Sequence, residues 1–358
     1  MRRALQHLGL ALAAVLLTLL GLEGLCRITG IAPNLPKPIF RDGVMAYAPN
    51  QTGTYMVLDE IRASYRINAQ GWNSGHADHL APKKGTRVVV IGDSYVEALQ
   101  VDADQSLAED LERLSPGIEV LRCGLSGIPL SQYVHLARRE TPAWSPDVLV
   151  VLLVHNDFLE SFISPPGVHQ QALLRLDVKG GRVLGERPIR PYVRRWYSLA
   201  RESALWRCLR NRQQLSFQLL RDLILGKEPE IFQANMAPRA VAERLADVRA
   251  ATDYLFGELD RAAQAQGARL VLLMDGDRGA IEAGHPGTSD ALILNRLSAE
   301  LAARRGIPFL DLHPAFAADF ADEHQPFAFP HDGHWNARGH AVAARALAAF
   351  LRDRGLIP

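Results

Sequence analysis

Cysteine is scarce in this chain of 358 residues, with three in all, at positions 26, 123 and 208. The number is odd and the spacing fits no thiolate metal site, which excludes a cysteine-held metal. A Cys123–Cys208 disulfide is open to a protein outside the cytoplasm, but unpaired thiols are the expectation. Net charge is equally scarce, at +1. That excludes a nucleic-acid footprint over the whole chain. The 28 Gly and 21 Pro are dispersed, and no segment recurs at solenoid periods. What remains is an ordinary globular composition, 48% apolar and 22% charged, on a chain long enough to bury a large core.

The one long apolar run is at the N-terminus. Met1-Arg2-Arg3 precedes Leu8 to Leu22, fifteen residues in which Thr18 alone is polar. Counted through Cys26 the segment has nineteen residues, close to the ~20 a helix needs to cross a bilayer. Two arginines ahead of it favour an N-terminus inside and a body outside the cytoplasm. No small-x-small cleavage site follows, and Leu25 stands before Cys26 where a lipoprotein signal would have a small residue. We read residues 1–27 as an uncleaved membrane anchor, with a cleavable signal peptide and a buried helix as the alternatives. Glu23 and Arg27 are spaced to pair on one helix face.

Residues 28–84 read as a Pro-rich linker and short β segments packing on the main domain. Ala69-Gln70-Gly71-Trp72 looks like a turn beside a packed aromatic. From residue 85 the pattern alternates. The apolar runs 87–91, 118–123, 147–154, 269–274 and 308–312 predict buried strands. Segments 106–114, 130–139, 241–266, 293–305 and 337–354 predict helices, the last with Asn336 as N-cap. Five strands alternating with helices give a three-layer α/β/α sandwich around a five-stranded parallel sheet. The domain runs over 85–358 with an insertion at 158–235. Inside the insertion, 176–184 predicts a hairpin turning at Gly180-Gly181. Between Arg182 and Arg212 nine Arg face two Glu, with Trp196, Tyr197 and Trp206 interleaved. The stretch fits a solvated helical insertion, or a surface meeting anionic headgroups or an acidic polysaccharide.

In open α/β sheets the chemistry gathers at the carboxyl ends of the strands. Past the first strand stands Gly92-Asp93-Ser94, a serine at a strand-to-helix turn. Past the second is Gly124-Leu125-Ser126-Gly127, where a backbone N–H meets a substrate with no side chain in the way. His155-Asn156-Asp157 follows the third. Beyond the last is His331-Asp332-Gly333-His334. A serine hydroxyl is a weak nucleophile that needs a base, a partner for the base and donors for the oxyanion. Ser94, His334, Asp332 and the N–H donors at Gly127 and Asn156 supply that set. His155 reads as structural, and Asp275-Gly276-Asp277 as a plain turn, with the rim of the site as the alternative. His331 and His334 lack a third ligand for a metal.

These blocks resemble the SGNH (GDSL-type) hydrolase superfamily over roughly residues 85–157 and 265–352. The resemblance implies Ser94 as nucleophile, His334 as base and Asp332 as its acid partner. It implies an oxyanion hole from Ser94, Gly127 (rather than Gly124) and Asn156, with Asp93 and Asp157 in support, and no metal or organic cofactor. Two blocks depart from the family pattern. Val154 replaces the glycine of Gly-x-Asn-Asp, and Asp332 stands two residues before His334 instead of three. The shorter spacing resembles branches that act on bacterial envelope polysaccharides. The implied function is a membrane-anchored serine esterase of an acylated carbohydrate or lipid, its catalytic domain outside the cytoplasm. An O-acyltransferase acting on an extracytoplasmic polysaccharide is the alternative. A non-catalytic subunit working with polysaccharide-assembly proteins is the third reading.

Overall fold

The computed structural model describes residues 2–163, 172–190, 200–215, 221, 224–225, 238–287 and 289–358. Two compact units emerge. One comprises residues 1–35, 53–62 and 193–230, the other 36–52, 63–192 and 231–358. These limits cut across the expected boundaries at 27 and 84. They also leave the hairpin of the insertion with the α/β unit.

The α/β unit is built on five strands, β1 (Thr86–Gly92), β2 (Ile118–Gly124), β3 (Val148–Leu153), β4 (Arg269–Met274) and β5 (Phe309–Asp311). They form one sheet in the order β5-β4-β3-β1-β2, and all pairs are parallel. Val, Leu and Ile dominate because both faces are covered. Val88, Val90, Val120, Val150, Leu152, Val271 and Leu273 pack with the helices Leu107–Leu114, His313–Glu323 and Ala337–Asp353. Their alternating neighbours, such as Val89, Val151 and Leu272, are fully buried too. That second face carries the helices Leu130–Arg139, Leu245–Ala265 and Ile293–Arg305. The sheet therefore lies between two helical layers.

Strand order reverses between β1 and β3, which makes the crevice at their carboxyl ends a topological switch point. Register levels those ends, because Gly92 pairs with Gly124 and Ile91 with Val151. The expected helix 241–266 is broken at Arg244, whose backbone leaves the helical region (φ −123°, ψ 21°) and separates Pro238–Glu243 from Leu245–Ala265. Asn336 caps Ala337–Asp353, accepting the N–H of Gly339 at 3.0 Å. The hairpin of Leu174–Lys179 and Arg182–Pro188 turns at Gly180 and Gly181, both with positive φ. Trp72 is fully buried, with Nε1 donating to Glu140 at 3.0 Å.

The other unit holds the helix Arg2–Thr29, apolar and long enough to cross a membrane. Glu23 and Arg27 pair at 2.7 Å. Glu23 also accepts from Ser203 Oγ (2.8 Å) and from the N–H groups of Ala204 (3.0 Å) and Leu205 (2.8 Å). Part of the Arg-rich stretch is used internally. Arg207 donates to Pro33 O at 2.8 Å, and Arg212 to Ile31 O at 3.1 Å and Asp59 at 2.6 Å. Arg194, Arg195, Trp196 and Tyr197 lie outside the described residues.

Gly124 ends β2 where the turn after β1 crosses it. A Cβ there would stand 2.2 Å from Glu97 N, 2.6 Å from Val96 C and 2.8 Å from Asp93 O, all backbone atoms. Gly124→Ala is expected to lower stability by about 3 kcal/mol or more, the upper range for overpacking, measured by thermal unfolding.

Candidate active site

The turn after β1 has no room for a side chain at Gly92, where a Cβ would meet Val96 Cγ2 at 2.4 Å. Asp93 then caps the single helical turn Ser94–Glu97 by accepting the N–H of Tyr95 at 3.0 Å. Ser94 is thereby set at the head of the turn, above the switch point, and is nearly buried.

Asp332 and His334 come from the short strand Asp332–Trp335, which pairs antiparallel with Ala328–Phe329. Alternate residues of a strand point to the same face, so an Asp-x-His spacing aims both side chains the same way. Asp332 Oδ1 accepts twice from His334, from its backbone N–H at 2.9 Å and from ring Nδ1 at 2.5 Å. The other ring nitrogen, Nε2, lies 2.8 Å from Ser94 Oγ. A hydroxyl, an imidazole and a carboxylate thus form one hydrogen-bonded chain, an order in which the imidazole can take the hydroxyl proton. His331, at the position a longer spacing would give the acid, is exposed.

Three residues that the sequence did not mark hold this strand in place. Arg278, buried, donates to Gly333 O at 2.9 Å and to Tyr95 Oη at 2.7 Å. Tyr95 Oη donates to the same carbonyl at 2.9 Å, and its ring lies 5.1 Å from that of His334. Trp335 Nε1 donates to Asp275 Oδ1 at 3.1 Å, while Asp275 Oδ2 lies 3.4 Å from Arg278. Asp275 is therefore more than a turn residue. The only signal in the sequence was its place just past β4.

The loops after β2 and β3 carry the remaining candidates. Gly127 has φ +72° and open space where a Cβ would be, whereas Gly124 is a packing glycine. Beside Gly127, Ser126 donates its hydroxyl to Glu97, and Tyr47 donates to the other oxygen of the same buried carboxyl. Val154, where the family has glycine, is fully buried in the core, and its φ is not positive, so the position makes no demand for glycine. Its N–H donates to Asp157 at 2.8 Å, and Asp157 also accepts from Tyr133 Oη at 2.9 Å. Asn156 is half-buried, with Nδ2 3.4 Å from Glu160 and its Oδ1 buried and unpartnered. His155 bonds Asn295 Oδ1 at 2.9 Å inside the core, a structural place. Among the described residues no group of three or more His, Cys, Asp or Glu could hold a metal.

The carboxyls of the site divide electrostatically. Burial pushes Asp93 up to about 7, against the Tyr95 N–H bond and the attraction of His334, and with Glu97 adding to the rise. Burial likewise raises Asp157 and Glu97. At Asp332 burial also acts upward, but the bonds and charge of His334 outweigh it and the net direction is down. Asp332 is thus kept ionised while its neighbours drift toward neutrality.

Asp93 makes stability pH-dependent with a definite sign. Its folded value, about 7, exceeds the ordinary 3.8. Between those values the folded chain holds a proton that the unfolded chain has lost, so the stabilisation present below pH 3.8 is lost as pH rises through 7. Asp93→Asn, which can still cap, is expected to gain thermal stability relative to wild type between pH 4.5 and pH 7.5, roughly bracketing that window. A constant difference across the two conditions would contradict the assignment.

Residues 232–357 match the family described as SGNH hydrolase-like domain, acetyltransferase AlgX. That region carries Asp332 and His334, and Ser94, Gly127 and Asn156 lie before it. No curated protein matches the chain. Among solved structures, TesA is similar at 13% identity over 75% of this chain and 98% of that chain, with a TM-score of 0.40. A lipase/acylhydrolase from Enterococcus faecalis is similar at 12% identity over 75% and 96%, with a TM-score of 0.40. Axe2, an acetylxylan esterase from Geobacillus stearothermophilus, is similar at 14% identity over 77% and 98%, with a TM-score of 0.41.

Proposed function

We propose that this chain, whose residues 232–357 match an SGNH hydrolase-like domain, is a serine esterase removing acyl groups, O-acetyl foremost, from an envelope carbohydrate. The observation that carries this reading is the chain Ser94 Oγ–His334–Asp332 at 2.8 and 2.5 Å. Ser94 Oγ attacks the ester carbonyl as His334 Nε2 takes its proton. The N–H groups of Ser94 and Gly127 and the Asn156 amide hold the developing oxyanion. Collapse expels the alcohol, which receives the proton from His334 and leaves an acyl ester on Ser94. Water, deprotonated by His334, then releases the carboxylic acid. Asp332 accepts from Nδ1 throughout, fixing the tautomer and offsetting the imidazolium charge. Asp93 and Asp157 act on geometry, one capping the turn of Ser94 and the other tying the loop of Asn156.

A second reading replaces water by a polysaccharide hydroxyl, making the protein an O-acetyltransferase. The match of residues 232–357 to a domain described for an acetyltransferase favours it. The same residues serve both reactions, and exclusion of water from the acyl-enzyme decides between them. In either case the apolar helix Arg2–Thr29 fits an anchor that keeps the α/β unit at the outer face of a membrane.

The full chain in mild detergent is expected to hydrolyse p-nitrophenyl acetate. Ser94→Ala and His334→Ala should each lower the rate by at least ~10³-fold, and Asp332→Asn by about 10⁴-fold, with folding unchanged by circular dichroism. A folded wild type no faster than these variants would sink the esterase reading. Added acceptor oligosaccharide that becomes acetylated at the expense of free acetate would select the transferase.

A further inference from the structure

The N-terminal unit holds a contact that the acyl chemistry does not use. Cys26 lies on the helix Arg2–Thr29, beyond the apolar run, and Cys208 follows the short helix Ala204–Arg207. Both are buried, at 5% and 8% exposure, in a small cluster with Ala204, against which Ile31, Ala32 and Leu205 pack. The two side chains share this cluster and lie close enough to interact directly. Glu23, one helical turn before Cys26, accepts from Ser203 Oγ and from the N–H groups of Ala204 and Leu205. Arg27, next to Cys26, donates to Glu202 O at 2.8 Å. The segment bearing Cys208 is thus fixed against the helix bearing Cys26 by bonds on both sides of the sulfur pair. Cys123 is fully buried at the end of β2 within the central sheet.

We propose that Cys26 and Cys208 form a disulfide when the folded chain meets a disulfide oxidant, stapling the membrane-proximal end of the N-terminal helix to the segment 203–212. The oxidant is an oxidised dithiol protein or glutathione disulfide. One cysteine thiolate attacks a sulfur of the oxidant and expels a thiolate, giving a mixed disulfide. The second cysteine, deprotonated, attacks the first cysteine's sulfur and expels the other half of the oxidant. Two electrons and two protons leave the cysteine pair, and the oxidant departs as two thiols. Three cysteines then divide into one bonded pair and one structural thiol. The bond requires that Cys26 be present when the chain is oxidised, because cleavage after residue 26 before oxidation would separate the two cysteines. It also departs from the expectation of unpaired thiols, and from the Cys123–Cys208 pairing that the sequence left open.

The test uses the full chain in mild detergent, incubated with glutathione disulfide. Free thiols are blocked with N-ethylmaleimide in SDS, the sample is reduced, and maleimide-polyethylene glycol is added. Wild type and Cys123→Ser should each gain two polymer shifts, and peptide mapping without reduction should join Cys26 to Cys208. Cys26→Ser and Cys208→Ser should show no internal cross-link and at most one shift, from a glutathione adduct. Three blocked thiols in wild type would overturn the proposal. So would separate glutathione adducts on Cys26 and Cys208, a bond to Cys123, or a chain recovered without Cys26. Because wild type alone gives the decisive readout, poor folding of a variant does not shield the proposal. The result is independent of esterase activity and so separates from the reading above.

Discussion

One carboxylate oxygen governs the site. Asp332 Oδ1 accepts both the backbone N–H and the ring Nδ1 of His334, so the carboxylate that holds the imidazole ring also fixes the histidine's own main chain. A strand alternates its side chains, and two residues apart is the shortest separation that puts an acid and a histidine on one face. The histidine's remaining nitrogen then has one direction to point, toward Ser94. Everything else near the site serves that alignment from one side or the other.

On the strand's side, Arg278 and Tyr95 converge on the carbonyl of Gly333, the residue between acid and histidine, and Asp275 anchors Trp335 just beyond. A buried guanidinium with a carboxylate and a carbonyl as partners holds position without leaving an uncompensated charge. On the serine's side, Asp93 caps the turn, and Gly92 and Gly124 let two strand ends and that turn approach more closely than any side chain would permit. Buried Glu97, at the end of the same turn, ties Ser126 of the neighbouring loop to it. That bond ties the loop after β2 to the turn after β1.

The fold was legible because buried parallel strands leave a strong mark. The runs 88–91, 148–154 and 270–274 are apolar throughout, as strands covered on both faces require. The structure brings the side chains of Ser94, Asp332 and His334 into one hydrogen-bonded chain. Ser94 was legible because it stands just past a strand end, and Asp332 and His334 were legible because they sit just ahead of the last helix. Arg278, Tyr95 and Trp335 were not, since a buried arginine or tyrosine carries no periodic signature and its partners lie more than fifty residues away or in another layer. The break at Arg244 escaped for a related reason, as its flanks satisfy one helical period and only its own backbone angles depart. Val154 looked like a departure from the family pattern because glycine suggests a special backbone, and the structure assigns that position an ordinary one. The Arg-rich stretch misled in part, since the carbonyls and carboxylate that Arg207 and Arg212 meet come from segments far away in sequence.

The most direct test of the central claim is to treat the folded chain with a fluorophosphonate and locate the adduct by peptide mass spectrometry. This probe reports on an activated serine whatever the natural acyl group or acceptor. The account predicts a single adduct on Ser94, formed far more slowly when His334 is replaced by alanine. An unmodified chain, or a phosphonate on a serine other than Ser94, would contradict it.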